Sequence, residues 1–98
     1  MIRLELSAFV ETDLDEIAAF IADDNPGRAV TFIQGIRAKF RVIQRTPLLY
    51  QLRPDIGEEA RMATVGQYAI LFRVLETAVR IERVVYGGRD LPEVFDAS

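Results

Sequence analysis

Eleven of the twelve basic residues in this chain are arginine, and Lys39 is the only lysine. A guanidinium is a planar, bidentate donor suited to carboxylates and phosphates, so the placement of these residues is the first clue to chemistry. It is uneven. Residues 27–46 hold Arg28, Arg37, Lys39, Arg41 and Arg45 with no acid, a charge of +5. Residues 1–26 set Arg3 against seven acids, a charge of −6, and the remainder carries −2, for a net −3. Two readings follow. Either two solvated helix faces of opposite sign attract each other, or Arg28, Arg37, Arg41 and Arg45 form a basic surface for an acidic partner or a phosphate backbone.

The missing residue types exclude whole reaction classes. Histidine and cysteine are both absent, so no Ser–His–Asp or Cys–His nucleophile, no thiolate metal site and no disulfide scaffold can be built. Asp13, Asp15, Asp23 and Asp24 resemble a metal cluster in count only. Asp13 and Asp15 fall on different sides of a helix, and the other two are helix-end acids. Gly66, Gly87 and Gly88 sit in hairpin turns without the helix and lysine that a phosphate loop requires. No metal and no cofactor is expected. Arg89-Asp90 follows Gly87-Gly88 at the sheet's end, where Asp90 is placed to cap backbone amides in a local turn.

These residues must be positioned by a small fold. A 98-residue chain of 11.1 kDa buries about 65% of its unfolded surface, enough for one core, so a single domain over 1–98 is expected. Half of the residues are hydrophobic and 28% are charged, a globular composition. No apolar run approaches the ~18 residues needed to span a bilayer, and MIRLELSAF has no signal-peptide core. The chain reads as cytoplasmic, with no membrane partner.

Ile2, Leu4 and Leu6 alternate with Arg3 and Glu5, a half-buried strand over 2–6. Ser7 is a plausible N-cap. Val10, Leu14, Ile17 and Ile21 then recur at helical spacing, with acids in the early turns where the macrodipole favours them. Asn25-Pro26 opens a second helix over 26–45, with Ala29, Ile33, Ile36, Phe40 and Ile43 on one face and Thr46-Pro47 as its stop. The short link makes an antiparallel helical hairpin. Residues 47–58 read as a loop. Ala60–Val65, Tyr68–Leu75 and Ala78–Tyr86 read as strands joined by the short turns Gly66-Gln67 and Glu76-Thr77. The expected class is α+β in the order β-α-α-β-β-β. The hairpin packs on a small, mainly antiparallel four-stranded sheet that the first strand joins.

Three segments carry a resemblance. LSAFVETDLDEIAAFIADDNPGRAVTFI is similar to the strand end and helical hairpin that open the RelE/ParE superfamily of type II toxin–antitoxin toxins. TPLLYQLRPDIG is similar to that family's P-x-x-G-x-x-R-P loop, with Tyr50-Gln51 in the glycine region. RMATVGQYAILFRVLETAVRIERVVYGGRDLPEVF is similar to its R-x-x-x-V-G-x-Y-x-I-x-Y-R-V … I-x-R-V-x-H-G-x-R-D ending. The chain resembles the ParE branch most closely, over about nine-tenths of its length. It departs at Tyr86, where the family commonly has histidine, and at Phe72, the second aromatic of the Y-x-I-x-Y pattern.

The resemblance implies a toxin that inhibits DNA gyrase by binding, in a module that stabilises plasmids. It also implies a cognate antitoxin that forms a hetero-oligomer with the toxin and neutralises it. No catalytic residue and no direct sequence-specific nucleic-acid contact belong to that reading, and Arg61, Arg83 and Arg89 join the four helix arginines as partner-binding candidates. Two alternatives stay open. One is a RelE-like, ribosome-dependent messenger-RNA endoribonuclease, in which Arg61 and Arg83 would stabilise a pentavalent phosphate and Tyr86 would act as acid or base, with Arg73 and Arg89 at hand. The missing imidazole, the single lysine and a pI near 4.9 weigh against it. The other is a non-toxic binding module of the same fold. Arg61 and Arg83 are expected as sheet neighbours, and their bland role is pairing with Glu82, Glu58 or Glu59.

Overall fold

The computed structural model describes residues 2–96; Met1, Ala97 and Ser98, which the single-domain expectation includes, lie outside the described residues. Strand β1 (Arg3–Leu6) leads into helices α1 (Val10–Ala22) and α2 (Pro26–Arg45). Strands β2 (Arg61–Val65), β3 (Tyr68–Val74) and β4 (Ala78–Tyr86) follow, then helix α3 (Leu91–Asp96). The sheet order is β1-β4-β3-β2. β1 lies parallel to β4, with Arg3 opposite Ala78 and Leu6 opposite Ile81, while β2–β3 and β3–β4 are antiparallel. The α+β order and the four-stranded sheet match the expectation. Among the described residues, no helix is long and apolar enough to cross a membrane.

Local chemistry explains the hairpin. The Asn25 side chain accepts the Arg28 amide hydrogen at 3.1 Å, and Pro26 occupies the first helical position, where its missing N–H is not needed. Val10, Leu14 and Ile17 of α1 and Ala29, Ile36, Phe40 and Ile43 of α2 are buried. All of them except Ala29, which is buried between the two helices, meet Ala63, Ile70, Phe72, Val79, Ile81 and Val84 on one sheet face. Ser7 does not cap α1. Phe9 occupies the cap position, while the buried Ser7 hydroxyl donates to the Glu82 carbonyl at 2.6 Å and accepts from the Phe9 amide at 3.2 Å. Its side chain thus ties the exit of β1 to β4.

Further features depart from the sequence reading. The first is a break in register between β3 and β4. Phe72 faces Ile81 and Leu71 faces Arg83, so Glu82 has no opposite residue. Such a bulge shifts the two-residue alternation by one. Ile81 and Val84 therefore join the same core, and Val85 joins the other. The second is α3. The segment after Gly88 coils into a helix whose Val94 and Phe95 are buried with Ile56, Ala60, Ala69, Leu71 and Val85 on the sheet face away from the hairpin. Asp90 accepts the Glu93 amide hydrogen at 3.3 Å, the capping role expected of it. The 47–58 segment is less irregular than a plain loop: Pro47–Leu49 forms a 3-10 turn, and Leu52, itself outside the strands, forms an isolated bridge with Arg61 at the start of β2.

Candidate partner-binding surface

Arg83 is the most constrained of the candidate arginines. Its Nε and Nη2 donate to the two Asp13 carboxylate oxygens at 2.8 Å each, and the Val84 amide donates to the same carboxylate at 3.0 Å. The Asp13 side chain is only 4% exposed and that of Arg83 15%. Hydrogen bonding to Asp13 raises the Arg83 pKa further above its ordinary value. The Arg83 guanidinium also lies 4.9 Å from the Phe9 ring centroid. It therefore pairs with none of Glu82, Glu58 and Glu59. Glu82 is instead held by Arg73 at 3.0 Å and Arg80 at 3.2 Å.

Arg61 stands opposite Phe72 on the outer strand β2, while Arg83 stands opposite Leu71 on β4. The two are not sheet neighbours: β3 separates them, about 10 Å of sheet. Their side chains are drawn to different partners, since Arg61 Nη1 donates to the Tyr50 carbonyl. Tyr86 ends β4, is 51% exposed, and makes no hydrogen bond through its phenol among the described residues. A phosphate-cleaving site needs donors, acid and base within hydrogen-bond reach of one phosphate. Arg61, Arg83 and Tyr86 are not brought together in that way.

The hairpin arginines divide. Arg37 donates to both Glu11 carboxylate oxygens, at 2.7 and 3.1 Å. That hydrogen-bonded contact lowers the Glu11 pKa and raises that of Arg37. Arg28 leans over Phe32 at 5.8 Å. Arg41 reaches only Gln44, at 3.4 Å, and Arg45 lies beside Leu48 and Leu49. Neither Arg41 nor Arg45 forms an ion pair among the described residues. Among the described residues the acidic and basic helix faces meet in one ion pair, Glu11–Arg37, and Asp15 adds a coulombic pull on Arg37.

A set of residues that the sequence reading passed over surrounds Tyr86. The Tyr68 ring packs edge-on against Phe32 at 5.6 Å and against Tyr86 at 6.3 Å. Phe20, 72% exposed, closes a cleft of about 460 Å³ with Gln67, Tyr68 and Tyr86. Arg89 lines the adjoining hollow between Phe20 and Tyr86. Helix α1 supplies Phe20, β3 supplies Tyr68 and β4 supplies Tyr86. The Gly66-Gln67 turn, with Gly66 at φ +57°, folds β2 back beside them. Large exposed aromatics with a nearby arginine are the residue types that anchor protein partners. One signal for Asp13 was available: it stands with Val10 and Ile17 at i, i+3, i+7 on the apolar stripe, where an acid needs a buried partner.

No curated protein matches the chain significantly. Among solved structures, the chain is similar to one described as the chromosomal ParDE TA system from P. aeruginosa, with a TM-score of 0.76 at 22% identity. The match covers 88% of this chain and 96% of that one. At that identity the likeness speaks for the fold: hairpin, sheet and order. The family model for the ParE toxin of type II toxin–antitoxin systems, parDE, matches residues 4–91, from β1 through the start of α3. That span takes in the Asp13–Arg83 clamp, the aromatic cleft and every candidate arginine, and the chain belongs to the ParE toxin family.

Proposed function

We propose that this chain acts in the cytoplasm as a toxin that inhibits DNA gyrase by binding it, and that a cognate antitoxin neutralises it within a hetero-oligomer. The observation that carries this reading over the ribonuclease alternative is the commitment of Arg83 to Asp13. The arginine that would have to meet a phosphate has the bidentate Nε/Nη2 edge of its guanidinium taken by a buried carboxylate, and Tyr86 stands without an acid–base partner among the described residues. What remains outward is binding chemistry. The Phe20–Tyr68–Tyr86 cleft with Arg89 at its side offers anchors, and among the described residues the outer edge of β1 pairs with no strand and can accept one. The open edge and the cleft are the antitoxin's docking places in this reading.

The test is induction of the chain without its antitoxin, together with a supercoiling assay on purified gyrase. The expected result is filamentous cells with an SOS response and inhibited supercoiling in vitro. Abrupt loss of translation with cut messages would establish the endoribonuclease instead. Absence of any effect from the folded chain would make it a non-toxic binding module.

A further inference from the structure

Helix α2 runs into a loop that holds three leucines in water. Leu48 is 70% exposed, Leu49 79% and Leu52 48%, and none of them joins either core. Leu48 and Leu49 line a hollow of about 330 Å³ with Arg45, Thr46 and Pro47. The backbone beneath them is ordered. Pro47–Leu49 is a 3-10 turn, the Tyr50 ring packs edge-on against Phe72 at 5.6 Å, the Tyr50 carbonyl accepts from Arg61 Nη1, and Leu52 bridges Arg61. Apolar side chains clustered at the surface mark a contact surface.

The cations around this loop are unanswered. Lys39 Nζ stands 5.8 Å over the Tyr50 ring, Arg61 is tied to the Tyr50 carbonyl, and Arg45 lies beside the two leucines. None of the three forms an ion pair among the described residues. Residues 25–54 contain no acid. The acids beyond them are taken or turned away. Asp55 is held by Arg53 at 2.9 Å, and Glu5 by Arg3 at 3.1 Å. Glu58 and Glu59 lead into Ala60, buried on the sheet face away from the hairpin, whereas Tyr50 packs on the hairpin side. Glu76 lies four residues past Phe72, which stands opposite Arg61, about 14 Å along the strand.

We propose that the 47–52 loop, with Arg45, Lys39 and Arg61 around it, is the surface that grips gyrase, through an apolar patch of the enzyme bordered by acidic side chains. The inference rests on the gyrase reading and adds where the target is held. Position separates this surface from the antitoxin's docking places. Phe32, beside the cleft, and Arg45 are thirteen residues apart on α2, about 20 Å. Leu52 bridges the outer side of β2, the sheet edge opposite β1 and about 14 Å across from it. On a domain of 39 × 30 × 22 Å, an antitoxin at the β1 edge and cleft stands in the way of a large enzyme without covering the loop. A lipid surface fits less well. Lys39 and Arg61 are half-buried at Tyr50 and only Arg45 is exposed, so a contoured protein surface reaches all three and a flat array of headgroups does not.

Supercoiling by purified gyrase, measured with the full chain, tests this. Leu48→Glu combined with Leu49→Glu, at two exposed sites, raises the half-inhibiting concentration by about tenfold or more. Its thermal melt is unchanged, and its affinity for purified cognate antitoxin stays within about threefold of the wild type. Arg45→Glu weakens inhibition at low salt, and the effect shrinks at high salt. A double variant that inhibits as well as the wild type overturns the proposal and leaves the gyrase reading standing. So does one that loses antitoxin binding in the same proportion, which assigns the loop to the antitoxin. So does one that inhibits normally but no longer sediments with phosphatidylglycerol vesicles that the wild type binds, which assigns the loop to a lipid surface. An Arg45→Glu chain that matches the wild type at low salt overturns the acidic border. A wild-type chain without effect on gyrase brings down the gyrase reading itself, and this inference with it.

Discussion

Asp13 and Arg83, seventy residues apart in the chain, are joined by two hydrogen bonds of 2.8 Å, and the same carboxylate takes the Val84 amide next to the β4 bulge. The pair fixes α1 against the sheet where the strand alternation breaks. Removing one member of a buried pair leaves the other desolvated and unmatched. Asp13→Ala should therefore cost about 3–5 kcal/mol, and at about 4–8 °C per kcal/mol it should melt at least about 12 °C earlier. Asp13→Leu combined with Arg83→Met should recover part of that loss, since an apolar pair avoids the desolvation penalty, while the Val84 amide, left without its acceptor, keeps about 1–3 kcal/mol of it. That double variant should also remain toxic on induction. A stable but harmless double variant would give Arg83 a direct role.

Phe40 and Arg41 are adjacent on α2 and about 100° apart around its axis, with Phe40 2% exposed in the main core and Arg41 at the surface. Phe40→Ala should lose about 3–5 kcal/mol through lost burial and the cavity left behind. Arg41→Ala should change stability by less than about 0.5 kcal/mol. Parallel urea titrations on the two variants decide it.

Gly57 holds α3 by having no side chain: a Cβ there would lie 2.5 Å from the Phe95 ring. Gly57→Ala should push Phe95 out of its seat, cost about 1–3 kcal/mol as an overpacked contact, and make the C-terminal segment more sensitive to limited proteolysis. Adding Phe95→Ala to Gly57→Ala should bring no comparable further loss, because the two changes share one contact.

The Glu11–Arg37 bridge predicts a small pH effect. Its hydrogen bonds lower the Glu11 pKa from an ordinary 4.5. The stabilisation is present above that ordinary value and fades as pH falls through the lowered folded one. Both side chains are about half exposed, so Glu11→Gln should cost no more than about 0.5 kcal/mol at neutral pH. Thermal melts of the two proteins should converge in acid below the ordinary Glu range. A gap that persists there would assign the effect to something other than this carboxylate's charge.

Tyr86→Phe removes a hydroxyl that has no hydrogen-bond partner among the described residues and keeps the ring that packs against Tyr68. Toxicity on induction should be largely unchanged. If the folded variant is harmless, the phenol is acting as an acid or base, and the ribonuclease reading returns.

The helical hairpin and the four strands were legible because they rest on local repetition. Apolar residues recur every three to four positions in α1 and α2 and every second position in the strands, and Asn25-Pro26 and Thr46-Pro47 mark ends through their own backbone chemistry. What only the tertiary structure decided depends on residues far apart in the chain. No local pattern reports that Glu82 drops out of register, so the Val84-Val85 run could not be divided between the two cores. Helix α3, at six residues, is too short to be stable by propensity; it forms where Val94 and Phe95 can bury against the second sheet face. Phe20, Tyr68 and Tyr86 become one cleft only when α1, β3 and β4 converge. Arg83 reads in the sequence as a partner contact or as a mate for Glu82, Glu58 or Glu59; the carboxylate it actually meets, Asp13, stands seventy residues earlier and reaches it only once the chain has folded.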